Sequence, residues 1–122
     1  MRITIMNVQH IASYTEFKTL CIPNETTEIS KVFCCDLLSV AMGKASENCA
    51  WITVMGNRNA LAVASLADVA CIVLAEGATM DTACLEQAEK VGISIFQTEL
   101  PVFEAGLLIY DQLRMDTINN RA

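Results

Sequence analysis

The apolar positions of this chain fall into short blocks that switch between two periods. At the N-terminus "RITI" (2–5) alternates weakly, as a short strand or a frayed end would. Val8, Ile11 and Ala12 then lie at helical spacing behind Asn7, a residue type that caps helix N-termini, and predict a helix within 7–17. A polar turn, "PNETTE" (23–28), separates them from Ile29, Val32 and Phe33, which suit a short strand. The segment "CDLLSVAMGKASEN" returns to the helical period. Leu37, Leu38, Ala41 and Met42 make its buried stripe, Asp36 caps its first turn and Gly43 helps to end it. Trp51, Ile52, Thr53 and Val54 favour the pleated sheet.

The stretch from Val54 to Gly77 is apolar enough to suggest a membrane span, but a span needs about 20 apolar residues without a charge. Arg58 and Asp68 divide this one into a "GNRN" turn, a helix of small residues from Ala60 to Ala67, and a β-branched run, "ACIVLA". The pattern then repeats. A loop, "EGAT", leads to a helix through "MDTACLEQAEKVG", capped by Thr79 and ended by Gly92. "ISIF" is a further strand. The last helix runs through "TELPVFEAGLLIYDQLR", with Thr98 as its cap and Pro101 in its first turn, before a polar tail, 115–122, that frays. Strands alternating with helices predict right-handed βαβ units on a parallel sheet, hence an α/β sandwich. A run as apolar as "ACIVLA" fits a strand covered on both faces.

Composition adds bounds. The 122 residues suit one domain with a single core, with no linker or repeat to divide them. A net charge of −6, with the 8 basic residues scattered, disfavours a nucleic-acid partner. No apolar span implies a membrane. Of the six cysteines, Cys49 and Cys71 sit in apolar runs and read as small buried hydrophobes. No Cys-x-x-Cys pair exists and His10 is the single histidine, so no metal site and no cofactor are implied. Without a secretory leader the cysteines read as free thiols in a reducing cytosol, the adjacent Cys34 and Cys35 being the pair with room for redox or metal chemistry.

Candidate chemistry lies where strands end, because open parallel sheets bind ligands beyond the carboxyl ends of their strands. Two loops qualify. In the first, Gly56 allows close backbone approach, Asn57 and Asn59 are cap residues, and Arg58 puts a fixed positive charge at a helix N-terminus, a setting for an anion such as a phosphate or nucleotide. The second loop contributes Ala75, Glu76 and Gly77. The competing reading is structural: Gly56 makes a turn, an Asn caps, and Arg58 pairs with Glu76. Catalytic constellations are missing from the sequence. There is no phosphate-binding P-loop, His10 reads as an exposed or helix-packing residue, Cys34 and Cys35 have no histidine partner, and Glu76 with Asp81 reads as a solvated pair.

From about Val8 to Leu113 the chain resembles the DRTGG domain family, whose members show a Gly-Asp-Arg turn after one strand and a Leu-Thr-Gly-Gly loop after the next. Here these stand as Gly56-Asn57-Arg58 and Leu74-Ala75-Glu76-Gly77, among "CDLLSVAMG", "AWITV", "ALAVASLADVACIVLAEG" and "AEKVGISIF" in matching order. Of the five name residues Arg58 and Gly77 remain, while Asn57, Ala75 and Glu76 replace Asp, Thr and Gly. The resemblance implies a fold similar to the non-catalytic N-terminal domain of HPr kinase/phosphorylase, and a regulatory or dimer-forming role like that of related domains in some phosphotransacetylases and CBS-containing pyrophosphatases. Stand-alone members similar to this one accompany iron-hydrogenase and electron-transfer genes in anaerobes.

The expected function is therefore a cytoplasmic, non-catalytic regulatory module, a homodimer, that binds a nucleotide, a phosphorylated metabolite or a partner protein. The alternative is a purely structural dimerisation module whose ligand site has decayed. An enzyme acting on a phosphorylated metabolite ranks third.

Overall fold

The structure, a computed structural model, describes the backbone of residues 6–121 and the side chains of residues 6–115. The weak alternation of "RITI" lies outside the described residues. In chain order the elements are α1 (Val8–Ala12), β1 (Lys18–Cys21), β2 (Lys31–Cys34), α2 (Leu38–Lys44), β3 (Cys49–Thr53), α3 (Arg58–Ala67), β4 (Cys71–Leu74), α4 (Thr82–Val91), β5 (Ser94–Gln97) and α5 (Val102–Arg121).

Five strands form one sheet in the order β1-β5-β4-β3-β2. From β2 to β5 every pairing is parallel, with Trp51 opposite Ile72 and Val73 opposite Phe96. The expected α/β sandwich of βαβ units is thus present. Period-two alternation sorts the side chains of the central strands between two cores. Trp51, Ile72, Leu74 and Ile95 pack under α2, α3 and α4, while Ile52, Val73 and Phe96 pack under α1 and α5. Every residue of β3 and β4 is buried, as expected of strands covered on both faces.

The sheet also holds a strand that the apolar pattern did not announce. β1 runs antiparallel along β5 at the edge, with an irregular register between Thr19 and Cys21. Its pattern is two exposed and two half-buried residues, so it lacks an apolar stripe, and an edge strand does not need one. The N-terminal helix is correspondingly short, ending at Ala12.

Helix boundaries follow capping chemistry, with three changes from expectation. Asp81, not Thr79, caps α4 by accepting the Cys84 amide at 2.8 Å. α2 starts from Leu37 without a side-chain cap, because the Asp36 carboxylate is engaged elsewhere. Thr98 accepts the Leu100 amide in the turn ahead of α5 and so braces the approach to that helix, whose first turn Pro101 joins through its carbonyl. The expected stripe on α2 reduces to Ala41, which is buried, and the half-buried Leu38, whereas Leu37 and Met42 are exposed. α2 packs chiefly beside α3, so only a narrow face is covered. At the C-terminus α5 continues as helix through the polar tail to Arg121.

Candidate functional site

β3 and β4 are parallel neighbours, so the loops that follow them open on the same sheet edge. The β3–α3 loop is anchored first. Asp36 Oδ1 accepts the buried Thr53 hydroxyl at 2.7 Å and the Val54 amide at 2.8 Å, and Thr53 Oγ1 accepts the Met55 amide at 3.2 Å. Sequence reasoning assigned Asp36 to a helix cap and did not foresee this tether. A carboxylate just after one strand and a hydroxyl ending its neighbour were the available signals. Gly56 then passes against the β4–α4 connection, where a side chain would collide with the Thr79 carbonyl. Glycine here serves close approach between the two loops.

Asn57 caps α3, its side chain accepting the Ala60 amide at 2.9 Å. Arg58 and Asn59 follow, both exposed. Among the described residues neither their amides nor the Arg58 guanidinium has a hydrogen-bond partner, and the expected Arg58–Glu76 pair does not form. Arg58 does lie close enough to Asp81 to be felt electrostatically. The Asp81 carboxyl is held below its ordinary value mainly by the amide and thiol of Cys84, with the Arg58 charge assisting. Asp81 is therefore a cap near Arg58, not half of a carboxylate pair with Glu76.

The second loop is turned inward. Ala75 is fully buried and donates its amide to the Thr53 carbonyl. The Glu76 amide bonds to the Leu100 carbonyl and the Gly77 amide to the Thr98 carbonyl, both at 2.9 Å, so this loop is sewn to the β5–α5 connection. Glu76 and Gly77 both have left-handed backbone, φ 57° and 70°, and a Cβ on Gly77 would meet the Glu99 carboxylate at 2.9 Å. Glu76 stands where the DRTGG pattern has glycine, and its backbone conformation is the one that favours glycine. Of the seven candidate residues, then, Gly56, Asn57, Arg58 and Asn59 present an open helix start, while Ala75, Glu76 and Gly77 have their amides engaged or buried.

Arg58 also borders a feature the sequence reading missed. A groove of about 550 Å³ runs between α3 and α4. Leu61 and Cys84 form its floor, Ala62 and Ala83 its shoulders, and Ser65 and Gln87 supply neutral polar groups. Arg58 marks one end and the exposed Leu66 and Val91 the other. The signal lay in α4, where Ala83, Cys84, Gln87 and Val91 share one helical face.

The remaining reactive groups have structural surroundings. His10 Nδ1 accepts the Asn7 amide at 3.0 Å and completes a capping box on α1. All six cysteines are free, and burial pushes the thiols of Cys21, Cys34, Cys49, Cys71 and Cys84 up. Among the described residues no three His, Cys, Asp or Glu side chains gather as a metal set, and no helix is long and apolar enough to cross a membrane.

No family model and no curated protein matches the sequence. Among solved structures, the fold is similar to that of the CBS and DRTGG domains from the regulatory region of a Clostridium perfringens pyrophosphatase, determined with its activator diadenosine tetraphosphate. The TM-score is 0.70 at 19% identity, over 84% of this chain and 45% of that one. The chain thus spans less than half the length of that neighbour. The likeness is one of fold, and it supports a DRTGG-like architecture.

Proposed function

We propose that this chain is a non-catalytic regulatory module of DRTGG type, similar to the N-terminal domain of HPr kinase/phosphorylase, that binds an anionic, nucleotide-like ligand at the Arg58 end of the α3–α4 groove. The observation that carries this reading is the Arg58 guanidinium, without a hydrogen-bond partner among the described residues, beside two amides likewise unbonded at the start of α3, at the mouth of an apolar groove. Helix-start amides and a guanidinium together suit phosphate oxygens, and the groove volume lies within the range of small-molecule sites. The nucleotide activator of the structural neighbour favours the same ligand class. In this reading Gly56, Asn57, Arg58 and Asn59 hold the anion, and Ala75, Glu76 and Gly77 form the rigid base behind them. Control follows from a population shift: the ligand favours one arrangement of a homodimer or of a partner complex. Thiols pushed upward and carboxylates engaged as cap and tether favour a binding role over a catalytic one.

The rival reading, a structural module with a decayed site, draws on the Glu99 carboxylate lying over Gly77. A thermal-shift screen with diadenosine tetraphosphate, ATP, AMP and inorganic phosphate separates the two. A ligand at 100 times its Kd adds about 2.7 kcal/mol, which raises Tm by several degrees. Arg58→Ala should weaken that ligand at least about tenfold, given the usual strength of charge-assisted hydrogen bonds, and leave the unliganded Tm unchanged. A screen without any shift in a stably folded protein would favour the structural module.

A further inference from the structure

α3 and α4 follow neighbouring parallel strands and pack side by side, so the groove between them has two different ends. Arg58 stands where both helices begin, and Leu66 and Val91 stand where both finish. Among the described residues Arg58 is the one charged side chain that lines the groove. The floor between the ends is apolar, but each wall carries one neutral polar group, the Ser65 hydroxyl on α3 and the Gln87 carboxamide on α4. Both residues are exposed, and neither side chain hydrogen-bonds to another described residue.

This layout discriminates between anions by what they carry behind the charge. A hydrocarbon tail would cover both polar groups and give them no partner, which costs binding energy. A flat heterocycle would instead lay its faces on the apolar walls and turn a polar edge toward Gln87. Ser65 lies seven residues beyond Arg58, and Gln87 five beyond Thr82 at the start of α4. Both polar groups therefore sit about 8–10 Å past the cationic end, the reach of a sugar and a base from their phosphate. A glutamine carboxamide pairs with adenine in particular, accepting from its amino group and donating to the adjacent ring nitrogen. Guanine presents two acceptors on that edge and would leave the carboxamide oxygen facing another acceptor. Charge limits the other end. One guanidinium, with Asp81 close enough to feel its field, suits one phosphate better than a chain of them.

We propose that the α3–α4 groove is a subsite for adenosine monophosphate, in which Arg58 holds the phosphate and Gln87, with Ser65 opposite, reads the adenine edge. The proposal rests on the anion reading of Arg58 and adds to it the base and the number of phosphates.

Titration calorimetry of the full chain with AMP, GMP, ATP and inorganic phosphate tests it. AMP should bind at least about fivefold more tightly than GMP, the lower end of what one bidentate base contact discriminates. Gln87→Ala should weaken AMP by a similar factor and leave GMP unchanged, so that the preference disappears while helicity and unliganded Tm stay as in wild type. Arg58→Ala should weaken both nucleotides alike. Equal affinity for AMP and GMP, lost on Arg58→Ala, would overturn the base assignment and leave the anion site standing. A preference for AMP that survives Gln87→Ala would also overturn it, because the base would then lie elsewhere. ATP binding more tightly than AMP would overturn the single-phosphate assignment. No heat from any nucleotide at millimolar concentration would sink this proposal and the anion reading together.

Discussion

Glu76 occupies a left-handed backbone conformation at φ 57°, in a loop whose own and following amides are both bonded to the β5–α5 connection. A non-glycine residue there costs about 1–2 kcal/mol, of which the greater freedom of an unfolded glycine returns about 0.5–1. Glu76→Gly should therefore raise stability by about 0.5–1 kcal/mol, read as a higher urea midpoint at unchanged slope. An unchanged or lower midpoint would mean the exposed carboxylate makes a compensating interaction. Gly56 is the opposite case. Its neighbour is a backbone carbonyl, which cannot swing aside, so Gly56→Ala should lose about 1–3 kcal/mol in the same titration. At this scale the sequence was legible where chemistry is local. Asn57 is a cap because its own helix supplies the donor. Asp36 is not, since the donors it meets come from β3 and its following loop, which the fold brings from elsewhere in the chain.

Among the elements, long runs were read well and thin ones poorly. α3 and α4 declare themselves through one buried face and a left-handed C-terminal residue, Asp68 in one and Gly92 in the other. β1 lies at an edge of the sheet and displays too little apolar surface to be recognised by period, whereas α2 was recognised as a helix but buries a narrower face than its period implied. The start of α4 carries a pH-dependent contribution. Hydrogen bonds from the Cys84 amide and thiol hold the Asp81 carboxyl below its ordinary 3.8 in the folded state. A folded pKa below the unfolded one means stability that is complete above the unfolded value and is lost as pH falls through the folded value. Asp81→Asn keeps a capping side chain but removes the charge. The urea midpoints of wild type and Asp81→Asn should thus differ most at neutral pH and converge as the pH drops below about 4. A gap that persists undiminished down to about pH 2 would assign the effect to geometry and not to charge.

For the whole molecule, the doubly covered sheet was legible because β3 and β4 are apolar on both faces, which only a layer of helices on each side permits. The α3–α4 groove was not, because it arises from how far apart two helices settle and no single helix encodes that distance. The same layering orders the six cysteines by depth. Cys34 is exposed and Cys21 and Cys35 are half-buried, whereas Cys49, Cys71 and Cys84 lie inside. A thiol-reactive probe added to the native protein should label Cys34 before Cys21, whose thiol burial and Glu89 push up to about 12. Labelling should then stall with Cys49, Cys71 and Cys84 protected. Cys49 and Cys71 belong to β3 and β4 at the centre of the sheet, between both helical layers. No local opening reaches them without dismantling a layer, so their labelling rates should depend on urea with the slope of global unfolding. Cys84, on α4 at the floor of the groove, needs only that helix to lift and should show a shallower slope. Mass spectrometry of peptides quenched along a urea series resolves the three positions. Cys71 reacting at a rate independent of urea would mean that the sheet opens without unfolding, and would overturn the two-layer core.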